Sequence, residues 1–108
     1  MGQPARRADV LFKALADPSR RKILRLLASG DLPLHRIELE FRMSRPAVLK
    51  HIRLLKECLL VRVEKKGRET IHRLDARPLK RLHDWVEALD AFWGRSLLAL
   101  KHQVEADR

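Results

Sequence analysis

The chain contains one cysteine and no long apolar run, and both shortages narrow what it can be. Because Cys58 is the only cysteine among 108 residues, an internal disulfide framework and a multi-cysteine zinc site within one chain are excluded. No stretch of apolar residues is long enough to span a bilayer. Near the N-terminus, Arg6, Arg7 and Asp9 interrupt any apolar segment, so we expect no secretion signal and a cytoplasmic location.

Signatures of catalysis are also missing from the sequence. The chain has no glycine-rich phosphate loop and no clustered pair of carboxylates. It has no serine or cysteine nucleophile at a recognisable spacing from a histidine. We therefore expect a protein that is not an enzyme and that uses no cofactor.

Positive charge, in contrast, is abundant and unevenly distributed. The formal net charge is +10 and the sequence pI is about 10.8. Residues 44–73 contain nine Lys or Arg and three Glu, whereas residues 84–108 contain three Lys or Arg and five Asp or Glu. The middle of the chain is therefore the part expected to meet a polyanionic partner.

The first half of the chain carries clear helix boundaries. A first helix is predicted over Ala8–Ala16, and Asp17 is predicted to cap a second helix whose first residue is Pro18. This second helix should run to about Ser29, with Gly30 as a left-handed C-terminal cap. A short third helix follows and carries the apolar residues Leu34, Ile37 and Phe41.

A fourth, amphipathic helix is predicted at about residues 44–57, with Ser44 as its N-cap. Val48, Ile52 and Leu55 fall on one side of this helix, at core-facing spacing. The opposite side and its flank carry a largely polar set: Arg45, Pro46, Leu49, Lys50, Arg53 and Glu57. A helix with such a face can enter the major groove of duplex DNA.

A basic hairpin is predicted after this helix, over about residues 60–74. The segments Leu60–Glu64 and Glu69–Leu74 are rich in residues that suit strands, and Gly67 lies in the connecting turn. The order of helix, turn, helix and hairpin is that of a winged helix-turn-helix. We expect residues 1–108 to form a single domain of this type, mainly α with a small β-hairpin wing.

A long C-terminal helix is predicted over about residues 78–102. Its apolar stripe steps by three and four residues and is broken only by Ser96. The members of the stripe are Leu79, Leu82, Val86, Leu89, Trp93 and Leu100. This face is longer than a small winged domain can cover. Packing between two subunits is the favoured explanation, and packing against the first helix of the same chain is the alternative.

Three segments together resemble the ArsR-like family of bacterial winged-helix repressors, in the branch without obvious metal ligands. They are Leu11–Arg21, Met43–Ile52 and Ile71–Asp75, and the resemblance extends over roughly Val10–Trp93. It implies a homodimer that pairs through its first helix, including Leu11, and its last helix. It also implies binding to an inverted repeat near a promoter and repression of transcription, with no inducer identified.

The resemblance and the charge pattern together predict the DNA contacts: Ser44, Arg45, Pro46, Leu49, Lys50, His51, Arg53, Lys65, Lys66 and Arg68. Arg45, Lys50 and Arg53 can bind phosphates or guanine edges, and the wing cations are better placed for sequence-independent contact with phosphates. His51 could contact a phosphate or brace the helix, and the sequence does not separate these roles.

The chain departs from the family pattern at several positions. Leu49 stands where a small residue, commonly serine, is usual, and it could contact a thymine methyl group. Small or glycine residues are also usual at Glu38, Arg42 and Leu59, and an aromatic residue is frequent at His72. These differences bear on turn geometry more than on the fold.

A metal-sensing role is disfavoured by the sequence. His35 is the one potential ligand in the third helix, where metal-sensing members commonly carry a cysteine pair. His102 and Glu105 form the second half of a known zinc pattern. The first half would need an acidic residue and a histidine where Leu89 and Ala91 stand, so we expect no metal site.

Two other functions remain open at this level. The chain could be an architectural or RNA-associated basic protein with little sequence preference, or a winged domain used for protein contacts. Cys58 is expected to be a buried, inert thiol rather than a redox switch.

Overall fold

The computed structural model describes residues 4–106, except for the side chains of residues 4–7 and 97. The helices are α1 (Pro4–Ala16), α2 (Pro18–Ala28), α3 (Leu34–Glu38), α4 (Arg45–Glu57) and α5 (Arg77–Ala106). The strands are β1 (Leu32–Pro33), β2 (Val61–Lys66) and β3 (Glu69–Leu74). The predicted class, mainly α with a hairpin wing, is confirmed.

The boundary between α1 and α2 is set by Asp17. Its side chain accepts hydrogen bonds from the backbone N–H groups of Ser19 (2.7 Å) and Arg20 (3.3 Å), while Pro18 occupies the first helical turn. Burial opposes ionisation of this carboxyl, but the two backbone hydrogen bonds and nearby positive charge together outweigh burial and lower the pKa of Asp17. The predicted cap is confirmed, although α1 begins at Pro4, earlier than the predicted Ala8.

The end of α2 differs from the prediction. Ser29 is the C-cap, and Gly30 follows with a φ of 154°, far from the left-handed helical value expected of it. The chain extends here because Leu32 and Pro33 form β1, which pairs antiparallel with β3. This short strand was not predicted, since two residues give no periodicity.

The sheet has the strand order β1-β3-β2 and is antiparallel throughout. Its hairpin pairs Val61 with Leu74 at one end and Lys66 with Glu69 at the other. The two-residue loop begins with Gly67 at a φ of 62°, as in a type II′ turn. β2 therefore continues to Lys66, two residues beyond the predicted Glu64.

The C-terminus of α4 is closed by a pair of backbone hydrogen bonds. Leu60 N–H donates to Leu55 O (3.0 Å), and Leu59 N–H donates to Lys56 O (2.9 Å). These bonds form a Schellman motif, which requires a left-handed residue at Leu59. Leu59 adopts a φ of 63° and remains exposed, while Leu55 and Leu60 are fully buried.

The core lies where α1, α2, α3, α4 and the base of the wing meet. Its most deeply buried side chains are Ile23, Ile37, Val48, Leu55 and Leu60. Within residues 4–106, no helix combines the length and apolar composition needed to cross a membrane.

The α5 helix extends well past this core. Near its beginning, Leu82 is buried and Trp85 packs edge-to-face on Phe12 of α1, with ring centroids 5.2 Å apart. The described chain measures 68 × 35 × 22 Å and has a radius of gyration of 18.9 Å. A compact chain of this length would have a radius of gyration of about 13 Å, so the C-terminal part of α5 projects from the body.

Candidate nucleic-acid interface

The α4 helix has one face in the core and the other in solvent. Ser44 caps the helix, since its Oγ accepts from the Ala47 N–H (3.4 Å). Val48, Ile52 and Leu55 are buried, as predicted. The predicted contact residues on the other face are exposed: Ser44, Arg45, Pro46, Leu49, Lys50 and Arg53.

Arg45 is not free in the unbound chain, because Glu38 at the end of α3 holds it. The Nε of Arg45 lies 3.5 Å from Oε1 of Glu38, although 65% of the arginine side chain remains exposed. Glu38 is one of the departures from the family pattern. An exposed ion pair of this kind contributes roughly 0–1 kcal/mol, so a phosphate can replace the carboxylate at little cost.

Lys50 and Arg53 form no ion pair with any residue whose side chain the structure describes. Both are exposed and separated by one turn of helix. Together with Lys56 in the last turn of α4, which is also exposed and forms no ion pair among the described side chains, they are available to an anionic partner without first breaking an ion pair.

His51 is half-buried and points toward the junction of α1 and α2. Its Nδ1 lies 3.3 Å from Nη1 of Arg20. Because a guanidinium can only donate, Nδ1 of His51 must accept and is therefore unprotonated in this arrangement. The structure thus supplies His51 with a partner inside the protein, and Arg20 is the residue that sequence reasoning missed.

Arg20 is held by several groups at once. Its Nε donates to Ala14 O (2.8 Å) and its Nη2 donates to Lys13 O (2.8 Å), while Asp17 lies 3.9 Å away. The neighbouring Arg21 donates to Leu15 O (2.7 Å). Two consecutive arginines of α2 therefore satisfy the last carbonyls of α1, which have no helical partner.

The wing separates its cations into two groups. At its base, Arg62 donates to Asp75 (2.9 Å) and Arg73 donates to Asp31 (2.9 Å). At its tip, Lys65, Lys66 and Arg68 are exposed and form no ion pair among the described side chains. Net positive charge is thus concentrated at the hairpin end.

Asp75 anchors the base of the wing to the start of α5. Arg77 donates to both of its carboxylate oxygens (2.6 to 3.2 Å) and through its backbone N–H (3.1 Å). These bonds, with the further one from Arg62, hold the pKa of Asp75 far below its usual range despite the opposing effect of desolvation. The carboxylate therefore stays ionised and keeps the hairpin oriented on α5.

His72 joins the two pairings of β3. It is 3% exposed, and its Nδ1–H donates to Leu32 O of β1 (3.3 Å). Burial lowers the pKa of His72, and the positive charge of Lys56 acts in the same direction. The ring is therefore neutral at physiological pH and acts as a structural member of the wing base.

The residues predicted for a subunit interface fall into two classes. Val86, Trp93 and Leu100 are exposed, and Leu79 and Leu89 are half-buried. Leu11 and Leu82, in contrast, are 3% and 6% exposed and belong to the core of the single chain. Both side chains are therefore packed within one chain, and their part in a subunit interface stays a prediction.

The alternative sites from the sequence can also be located. His102 and Glu105 are exposed near the end of α5, and among the described residues the one three-ligand group is His83, Asp84 and Glu87, also exposed. Cys58 is half-buried with its thiol 3.8 Å from Val10 O. Burial, followed by the charge of Glu57, raises the pKa of this thiol.

Known proteins are similar to this chain in both sequence and architecture. Residues 17–63 match the family described as bacterial regulatory protein, arsR family. The transcriptional repressor SdpR of Bacillus subtilis is 34% identical over 76 residues, which are 70% of this chain and 84% of that protein.

Two solved structures extend the comparison. An ArsR-like transcriptional regulator from Rhodococcus sp. RHA1 is 32% identical with a TM-score of 0.80, over 93% of this chain and 92% of that chain. A homodimeric winged helix-turn-helix DNA-binding domain from Mycobacterium bovis is 26% identical with a TM-score of 0.63, over 79% of each chain. The chain therefore belongs to the arsR family of bacterial regulatory proteins and is a winged helix-turn-helix, DNA-binding transcriptional regulator.

Proposed function

We propose that this protein is a cytoplasmic, homodimeric repressor that binds an inverted-repeat operator in double-stranded DNA. Residues 1–108 act as one domain in this proposal. The observation that carries it is the arrangement of α4, which buries one face and leaves Lys50 and Arg53 exposed without ion-pair partners among the described side chains. The repressor SdpR, which is similar over most of its length, supports the direction of regulation.

The α4 helix would enter the major groove. Arg45, Lys50 and Arg53 would meet guanine edges or phosphates, and Ser44 and Pro46 would lie against the backbone at the helix start. Leu49 is 37% exposed between these cations and offers a methyl-rich surface. We assign it to a thymine methyl group, because apolar contact is how that base is read.

The wing would bind phosphates beside this groove. Lys65, Lys66 and Arg68 carry charge at the hairpin tip, and among the described side chains none of them forms an ion pair that would fix its geometry. Flexible point charges suit sequence-independent contact and increase the salt dependence of binding.

Two copies of the chain would pair through α5 and the exposed part of α1. The C-terminal part of α5 leaves Val86, Trp93 and Leu100 uncovered, and Val10 and Phe12 of α1 are also exposed. The homodimeric domain from Mycobacterium bovis supports this assembly. A two-fold symmetric dimer presents two α4 helices to half-sites about 34 Å apart, one turn of DNA.

Selection from a random duplex library, followed by footprinting of the selected sequence and of the protein's own promoter, tests this function. We expect an enriched inverted repeat whose half-sites are centred about 10 base pairs apart. Uniform protection of all duplexes at low salt, without enrichment, would instead indicate an architectural protein. Repression is then measured with a reporter carrying the selected site between promoter and gene.

A further inference from the structure

The contacts of His51 distinguish two roles that the sequence left open. The residue lies on α4 between Lys50 and Arg53, so a contact made by its ring also affects the position of both cations. In the structure, the ring is half-buried and its Nδ1 faces the Arg20 guanidinium at 3.3 Å. Two charged groups lie nearby, Arg20 in the first turn of α2 and Asp17, the N-cap of that helix.

Arg20 is well suited to hold this ring in place. Its side chain is 14% exposed, and each of its three guanidinium nitrogens faces a different polar group. Nε and Nη2 are fixed by the carbonyls of Ala14 and Lys13, which leaves Nη1 for His51. Because one planar guanidinium contacts both the C-terminus of α1 and His51, it fixes the middle of α4 relative to the end of α1.

From these contacts we infer that Arg20 is a positioning residue for sequence readout, acting through His51. It sets the rotation of α4 about its own axis and thereby the depth to which Lys50 and Arg53 reach into the groove. Sites that read sequence need their supporting side chains fixed closely, whereas phosphate contacts tolerate displacement. The inference rests on the proposed operator binding and adds to it a residue that touches no DNA.

The variants Arg20→Lys and Arg21→Lys form a matched pair. Both keep the charge in the same turn of α2, and both residues hold α1 carbonyls, but only Arg20 contacts α4. Lysine has one nitrogen and cannot reach three groups, so Arg20→Lys should weaken binding to the selected operator about tenfold, as expected for one hydrogen bond involving a charged group. Random DNA of the same length should be affected by less than about twofold.

The ratio of operator affinity to random-DNA affinity is the decisive quantity. Partial unfolding lowers the active fraction for both duplexes equally and leaves the ratio unchanged, whereas a rotated α4 lowers the ratio. Arg21→Lys should keep the wild-type ratio. An Arg20→Lys protein with the wild-type ratio would overturn the inference.

Substitutions of His51 separate positioning from direct contact. In His51→Asn the amide oxygen can replace Nδ1 as the acceptor for Arg20, but Nε2 has no counterpart. In His51→Leu neither ring nitrogen has a counterpart. We expect His51→Asn to keep most of the operator preference. His51→Leu should lose as much as Arg20→Lys, and the double variant should lose no more than either single one. Equal losses in His51→Asn and His51→Leu, or multiplied losses in the double variant, would instead assign the ring to DNA.

A measurement without DNA tests the contact between Arg20 and His51 independently of operator binding. Nitrogen-15 spectra of the histidine rings at pH 8 should show Nδ1 of His51 unprotonated, and Arg20→Lys should change this signal while Arg21→Lys leaves it alone. If the wild-type protein shows no operator preference but the ring signal follows Arg20, the proposed function fails and the contact stands. A protonated Nδ1 at pH 8 overturns the positioning contact itself.

Discussion

Among single residues, Leu59 carries an unfavourable backbone conformation that the fold imposes. It is the one non-glycine residue with positive φ in the described chain, and its side chain is 66% exposed. Left-handed backbone costs an L-residue roughly 1–2 kcal/mol, and glycine adopts it without strain. We therefore expect Leu59→Gly to increase the free energy of unfolding by about 1 kcal/mol, measured by urea denaturation.

Leu39→Gly is the control for this substitution. Leu39 is even more exposed, at 77%, but has a φ of −60°. Glycine there adds freedom to the unfolded chain and relieves nothing, so stability should fall. A stabilisation of equal size in both variants would show that loss of an exposed leucine, and not relief of the backbone, is responsible.

Asp75 makes the stability of the fold depend on pH. The pKa of Asp75 is lowered by Arg77 and Arg62, so the unfolded state binds a proton more readily than the folded state does. The stability that Asp75 contributes is complete above about pH 4, the unfolded pKa, and is lost as pH falls through the lower folded value. We expect Asp75→Asn to unfold more easily at pH 7 and to show a smaller loss of stability between pH 5 and pH 2.

Chemical denaturation at a series of pH values measures this difference. Asp90, exposed on α5 and outside every ion pair of the described side chains, gives the control substitution Asp90→Asn. That variant should follow the wild-type curve. An Asp75→Asn curve parallel to the wild type would mean that the Arg62 and Arg77 contacts do not favour the ionised carboxyl.

Leu49 is the residue where sequence preference should be most easily changed. Leu49→Ser replaces an apolar surface with a hydroxyl that can donate and accept, so contact with a thymine methyl is lost and hydrogen bonds to other bases become available. Selection from a random library should give a different base at one position of each half-site, worth about 1–3 kcal/mol of discrimination. Affinity for random DNA should stay unchanged; a proportional loss on all duplexes would place Leu49 against the backbone.

At the scale of elements, the wing is expected to bind DNA by charge alone. Lys65 and Lys66 are exposed at the hairpin tip, away from the ion pairs at its base. The double reversal Lys65→Glu and Lys66→Glu should weaken operator and random DNA by similar factors. It should also reduce the slope of log affinity against log salt by about 2.

The matched control for this reversal lies on α5. Arg81 and Arg95 are exposed there, so Arg81→Glu with Arg95→Glu produces the same change in net charge away from the wing. Filter binding over a range of salt concentrations should show a smaller change in slope for this pair. A loss confined to the operator in the wing variant would mean that the wing reads bases.

Elements with a local cause were predicted well from the sequence. Asp17 and Ser44 cap helices through bonds to residues two or three positions away, and Gly67 permits the hairpin turn by its own conformation. The β1 strand and the Arg20 contact could not be predicted in this way. Leu32 and His72 are 40 residues apart, and Arg20 and His51 are 31 apart, so each pair is brought together only by the packed core.

The chain against which the apolar stripe of α5 packs could not be predicted from the sequence either. A stripe of apolar residues on α5 predicts burial without saying against which chain. Leu82 is covered by the body of its own chain, whereas Trp93, eleven residues further along α5, remains 51% exposed. The length of the body decides at which residue of α5 packing within one chain ends and packing between two chains would begin. The apolar periodicity of α5 carries no information about that length.

At the scale of the whole molecule, Trp93→Asp should separate the proposed dimer. Charge at the centre of an apolar interface and loss of a large aromatic anchor should raise the dimer dissociation constant by about 30-fold or more. Leu98→Asp is the control, because Leu98 is also exposed but lies about 140° around the helix from Trp93. Sedimentation or light scattering should show monomers for the first variant and dimers for the second at the same concentration.

Loss of the dimer should also change how the protein binds its operator. The Trp93→Asp protein should lose most of its preference for paired half-sites over a single half-site, because each α4 then binds independently. A Trp93→Asp protein that remains dimeric would place the interface elsewhere on α5 or α1.

The length of α5 beyond the core also affects how the regulator responds to its own supply. If only the dimer binds paired half-sites, the concentration of this DNA-binding species at low expression varies with the square of the chain concentration. Halving synthesis then lowers the active species about fourfold in that regime. Repression would then change steeply with protein level, without any small molecule, because the C-terminal part of the thirty-residue α5 projects from the body.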